Sequence, residues 1–121
     1  MPRGSSAAHD RAVEYVRIYR LMTEGMGLRG SELLVYARVF SFCRHEGVEF
    51  YESKQSMARM LGISERQAHR AISSLVARGL VVERGEHVLP NRRITKRYGL
   101  VDEAVERAIR VTERRNRLGG G

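Results

Sequence analysis

Residues 53–79 read SKQSMARMLGISERQAHRAISSLVARG, and this stretch decides the fold. Ser53 stands where a helix N-cap belongs, and Gly62 supplies the stop, so a short helix is predicted over Lys54–Leu61. Ser64 caps the next helix. Gln67 lies three residues later, the spacing at which cap and N3 side chains satisfy each other's backbone N–H groups. This second helix should run Glu65–Arg78 and stop at Gly79. Ala68, Ala71, Ile72, Leu75 and Val76 fall on one face at helical spacing, while Arg66, Gln67, His69, Arg70 and Ser73 fall on the other. Ala58 is small where the two helices would cross. Met57, Leu61 and Ile63 point inward with Ala68 and Ala71, and Gly62 takes the positive φ of the turn.

Two short helices around Leu61-Gly62-Ile63-Ser64 form a helix-turn-helix signature. The free N-terminus of the second helix offers N–H groups to a phosphate, and the side chains beside it can reach base edges. Downstream, Leu80-Val81-Val82 starts a strand. A polar, turn-prone stretch runs from Arg84-Gly85 through Pro90-Asn91, and Arg93–Leu100 is a return strand. Helix, helix, hairpin is the order of a winged helix, here mainly α with a small β wing. Asp102 caps an additional C-terminal helix, Glu103 to about Arg117, with acids early and Arg114, Arg115 and Arg117 late as the dipole favours.

Upstream, Ser31 is the expected cap of a helix running to about His45 and stopping at Gly47. Glu32 stands in its first turn, and Leu33, Leu34, Ala37, Phe40 and Ser41 follow the helical spacing of a buried face. Val48-Glu49-Phe50-Tyr51 is a short extended piece. Val13–Met22 fits both periodicities. Val16 and Ile18, flanked by charged residues, favour a strand at about 14–18 followed by a helical turn at about 19–24. The expected organisation is a flexible lead over 1–12, the winged domain over 13–100, the C-terminal helix over 101–117 and a glycine tail over 118–121.

The charge agrees with a polyanionic partner. The 121 residues carry 22 Lys+Arg against 14 Asp+Glu, a net charge of +8. Lys54 and Lys96 are the only lysines, so the positive charge is arginine, whose planar fork suits phosphate and the guanine edge. It gathers in the second half, and residues 62–97 hold eight basic side chains against three acidic ones. The DNA-contact candidates are Ser64, Arg66, Gln67, His69, Arg70 and Ser73 on the second helix and Lys54, with Ser56, at the first. On the wing they are Arg92, Arg93, Lys96 and Arg97, with Glu83 and Glu86 tempering the charge.

The run Ser64–Val81 resembles the recognition helix and following strand of bacterial winged-helix proteins. Tyr15-Val16-Arg17-Ile18 and Gly30-Ser31-Glu32-Leu33-Leu34-Val35-Tyr36-Ala37 resemble the opening of one subgroup, the helix-turn-helix proteins related to plasmid and phage replication initiators. The resemblance spans about residues 15–100. It implies double-stranded DNA as partner and base reading at Arg66, Gln67 and Arg70. Glu65 departs from the basic or neutral residue common at its position. Three roles follow: a transcription regulator, which the length favours; a replication or partition protein of a plasmid or phage, which the resemblance favours; and a winged helix used as a protein-interaction module. Ala104, Val105, Ala108, Ile109 and Thr112 make an apolar stripe with two readings: it packs back on its own domain, or it forms the two-fold contact of a homodimer.

Other chemistry is not expected. Gly25-x-Gly27-x-x-Gly30 matches a dinucleotide fingerprint, but no βαβ unit follows it. Cys43 is the single cysteine, read as a small buried residue in a reducing compartment. His9, His45, His69 and His87 have no paired spacing, so no metal, cofactor or catalytic residue is assigned. No apolar run is long enough to span a membrane, and no signal peptide opens the chain, which points to the cytoplasm.

Overall fold

A computed structural model describes residues 12–46 and 49–118. The expected lead over 1–12 and tail over 118–121 lie almost wholly outside these; Leu118 is the last residue of a helix. The architecture is α+β. A π-helical turn at Leu21–Gly25 precedes helix α1 (Gly30–Ser41), which continues in π form over Phe42–Glu46. Helices α2 (Lys54–Leu61) and α3 (Glu65–Ala77) follow, then strands β1 (Val81–Val88) and β2 (Ile94–Leu100), and helix α4 (Asp102–Leu118).

The predicted signals at α2 and α3 operate as expected. Ser53 Oγ accepts from Ser56 N, and Gly62 closes α2 at φ 72°. Ser64 Oγ accepts from Gln67 N while Gln67 Oε1 accepts from Ser64 N, a complete capping box. Arg78 is the C-cap of α3, and Gly79 turns the chain at φ 75°.

Upstream, three expectations change. Residues 14–19 form no strand; Val13, Tyr15 and Ile18 are exposed, with no neighbouring strand to pair them. Ser31 is not a cap. Gly30, at φ 55°, makes the turn into α1, and Arg29, two residues before the serine, is the N-cap, its carbonyl accepting from Leu33 N. The helix reaches Glu46, close to the expected end, but widens to π form from Phe42 onward; the stop expected at Gly47 lies outside the described residues.

The turn-prone stretch Arg84–Asn91 is also shorter than its composition suggests. β1 runs through it to Val88, antiparallel to β2, with a bulge between Glu83 and Gly85 that leaves Arg84 without a partner in the ladder. Gly85 at φ 120° absorbs that irregularity. The loop is then tight. Arg92 N donates to Leu89 O at 2.8 Å, Leu89 N donates to Arg93 O at 2.7 Å, and Arg92 takes φ 69°. This is a turn followed by a left-handed residue, a common three-residue hairpin closure. Phe50 and Tyr98 exchange both backbone hydrogen bonds at 2.8 Å, which ties the segment before α2 to the hairpin.

The core lies where these elements converge. Val35, Tyr36 and Val39 of α1 meet Met57 and Ala58 of α2 and Ala68, Ala71, Ile72 and Leu75 of α3. Phe50, Val81, Tyr98 and Leu100 extend it to the sheet. Ala104, Val105 and Ala108 of α4 are buried against the domain itself, near the Leu21–Gly25 turn. A β-carbon on Gly25 would lie 2.4 Å from Ala108 O, so only a glycine lets the helix come so close. Arg115 Nη1 donates to Glu24 O at 3.2 Å across the same seam.

One buried charge was not foreseen. Arg38, on α1, is 8% exposed and grips Glu52 with Nε–Oε1 2.9 Å and Nη2–Oε2 3.1 Å. Ser56 Oγ donates to the same carboxylate at 2.7 Å, so Glu52 clamps the start of α2 to α1. No helix among the described residues is long and apolar enough to cross a membrane.

Candidate functional site

The outer face of α3 stands beside the hairpin. Between them runs a groove of about 410 Å³, lined by the start of α2, by His69 and Ser73 of α3, and by Arg93, Lys96 and Tyr98 of the hairpin. The candidate residues divide by what already holds them.

Arg66 and Arg70 are exposed on α3 and make no ion pair among the described residues. They lie one turn apart, so both guanidinium groups project from one side of the helix. Ser73 is exposed on the groove side. His69 Nε2 lies 3.8 Å from Glu65 Oε2 on the preceding turn. Ser64 and Gln67 are partly committed. Their side-chain oxygens serve the capping box, which leaves the Gln67 amide NH₂ as its free donor. A bidentate Gln67–adenine contact would need that carbonyl oxygen, so the base-reading role that the resemblance implies for Gln67 competes with its capping role.

Lys54 is not an open first-turn lysine. Its Nζ donates to Tyr98 Oη at 2.9 Å and sits 4.6 Å from that ring's centre. Burial, and then the neighbouring Lys96, lower its pKa below the ordinary lysine value, with Glu83 pulling the other way. Lys54 lines the groove beside Tyr98.

The four basic candidates on the hairpin do not form one patch. Arg92 and Arg93 are exposed at the tip, with no ion pair among the described residues. Lys96 lies on the face shared with Tyr98 and pairs with Glu83 at 3.4 Å. Arg97 is on the opposite face, where period-two alternation puts it. There it pairs with Glu49 at 3.2 Å and donates from Nη2 to Arg84 O, and Arg84 shares the same carboxylate at 3.4 Å. Arg97 therefore turns away from the groove.

Two contributions were missed in the sequence. Arg29, in the glycine-flanked segment before α1, shares a shallow depression with Gln67 and Arg70, which adds a third arginine near the start of α3. Glu32 does more than face a helix dipole. It accepts from Ser74 Oγ, and its Oε1 lies 3.1 Å from Arg78 Nη1, while Arg78 Nη2 donates to Met26 O at 2.8 Å. These bonds lock the C-terminal half of α3 to α1. The separations along the chain leave no local pattern that would reveal either arrangement.

The result is a firmly mounted helix with unpaired arginines at its outer face, a polar groove and a basic hairpin tip. Compared with models of known families and with curated proteins, the chain matches none.

Proposed function

We propose that the chain is a winged helix-turn-helix domain that binds double-stranded DNA, most simply as a transcription regulator. The observation that carries this reading is the presence of Arg66 and Arg70, without an ion pair among the described residues, on a helix whose two ends are fixed by the capping box and the Glu32–Arg78 contact. α3 enters the major groove, where a guanidinium fork reads guanine O6 and N7. The phosphate backbone crosses the groove between α3 and the hairpin, over Ser73, Lys54 and Lys96. Arg29 adds a cation near the start of α3. A replication protein of a plasmid or phage would use the same surface.

Selection from a random duplex library at two salt concentrations tests this. The expected result is an enriched motif. Arg70→Ala should then cost about 1–3 kcal/mol and relax the preference at one position. Arg93→Ala should weaken all sequences alike and lower the salt slope by about one phosphate. Retention that is absent at both salts would reject the proposal.

A further inference from the structure

Phosphate binding leaves the end of the hairpin unexplained. Val88 and Ile94 are cross-strand partners, 64% and 61% exposed, on the last rung of the ladder. Half-buried Leu89 and exposed Pro90 follow Val88 into the turn. Apolar side chains therefore crowd the most projecting part of a basic element. Arg92 and Arg93 flank them without an ion pair among the described residues. The tip is also held in shape: Asn91 Oδ1 accepts from Arg93 N at 3.0 Å, beside the two backbone bonds between Leu89 and the arginines. An apolar point with a cationic collar is complementary to an apolar interior between anionic rails. The minor groove of a duplex, with base pairs stacked between two phosphate strands, has that form. Seven register pairs at about 3.3 Å per residue make the hairpin roughly 20 Å long, enough to lead from a helix in the major groove to the adjoining minor groove.

We propose that the hairpin tip is a minor-groove wedge: Val88 and Ile94 press into a base-pair step, Arg92 and Arg93 take the phosphates on either side, and the duplex bends away. Apolar wedges of this kind partly unstack a step and kink the axis towards the major groove. The inference rests on the DNA-binding reading and adds to it a deformation and a preference for easily kinked pyrimidine–purine steps.

The test uses the full chain and a duplex of about 30 base pairs with a central TA step and a fluorophore at each end. Anisotropy reports binding, and energy transfer between the ends reports bending. The Val88→Ser/Ile94→Ser variant changes only exposed side chains, and circular dichroism checks that it folds. The wild type should bind and raise the transfer efficiency. The variant should bind with the same salt slope, lose the rise in transfer, and weaken by about tenfold or less. Wild-type binding without a change in transfer, or equal bending by the variant, overturns the wedge and leaves the DNA-binding reading intact. Failure to bind any duplex overturns both. Val88- and Ile94-dependent sedimentation with anionic phospholipid vesicles, with an unbent duplex, would assign the tip to a lipid surface instead and overturn the proposal.

Discussion

Arg92 occupies a backbone position that favours glycine or asparagine. At φ 69° its β-carbon crowds the following carbonyl, which costs an ordinary residue about 1–2 kcal/mol. Arg92→Asn keeps the turn and relieves part of that cost, because asparagine tolerates the left-handed region. The expected outcome is a stability gain of about 0.5–1 kcal/mol in urea unfolding, together with weaker, less salt-sensitive duplex binding. A variant that gained stability and kept full affinity would remove Arg92 from the interface. Residues whose role is set by near neighbours were legible in advance. Ser53, Gly62, Ser64, Gln67 and Gly79 act within three or four positions of themselves, and each does what its spacing implies. Residues set by distant partners were not. The fate of Lys54 depends on Tyr98, 44 positions away, and that of Arg97 on Glu49, which comes from the segment ahead of α2.

Among the elements, α2 and α3 were recovered almost to the residue, and the hairpin in order though not in extent. β1 swallows Arg84-Gly85 because pairing with β2 outweighs the local preference of a glycine for a turn, and the bulge accommodates the mismatch. The strand expected at 14–18 fails for the converse reason: its alternation is adequate, but no neighbour is available to pair with it. α4 shows how tightly two elements can be fitted. The space at Gly25 admits no methyl group: besides Ala108 O, a β-carbon there would meet Ala108 Cβ and Thr112 Oγ1, each at 2.8 Å. Gly25→Ala should therefore destabilise the domain by about 1–3 kcal/mol as α4 is pushed off the turn. Denaturant unfolding measures this, and an unchanged midpoint would show that the seam is looser than the structure has it.

Across the whole molecule, burial of titratable groups gives an alkaline signature. Tyr36 Oη is enclosed with no hydrogen-bond partner among the described residues, and burial raises its pKa well above the ordinary value. Burial, reinforced by Glu83, pushes Tyr98 up to about 12. Both phenols hold their protons in the folded state after the unfolded chain has begun to lose them near pH 10. Their contribution to stability is full below pH 10 and declines as the pH rises through the folded values. Lys54 runs the other way: its lowered pKa means that its contribution grows with pH up to the ordinary value of 10.5. Titration followed by tyrosinate absorbance should show a late component, coincident with unfolding, among the five tyrosines. Tyr36→Phe should shrink that component and leave stability equal or higher, because an unpartnered buried hydroxyl costs about 1–3 kcal/mol. A single ordinary step for all five would contradict the burial.

The seam between α4 and the Leu21–Gly25 turn also governs how the domain carries tension. It joins the Leu21–Gly25 turn to the last helix, and α1, α2, α3 and the hairpin all lie in the loop it closes. A pull between Arg20 and Arg117 falls first on Gly25, Ala108 and the Arg115–Glu24 bond. Until those part, the strain bypasses the elements within the loop, and the face bearing Arg66 and Arg70 keeps its shape.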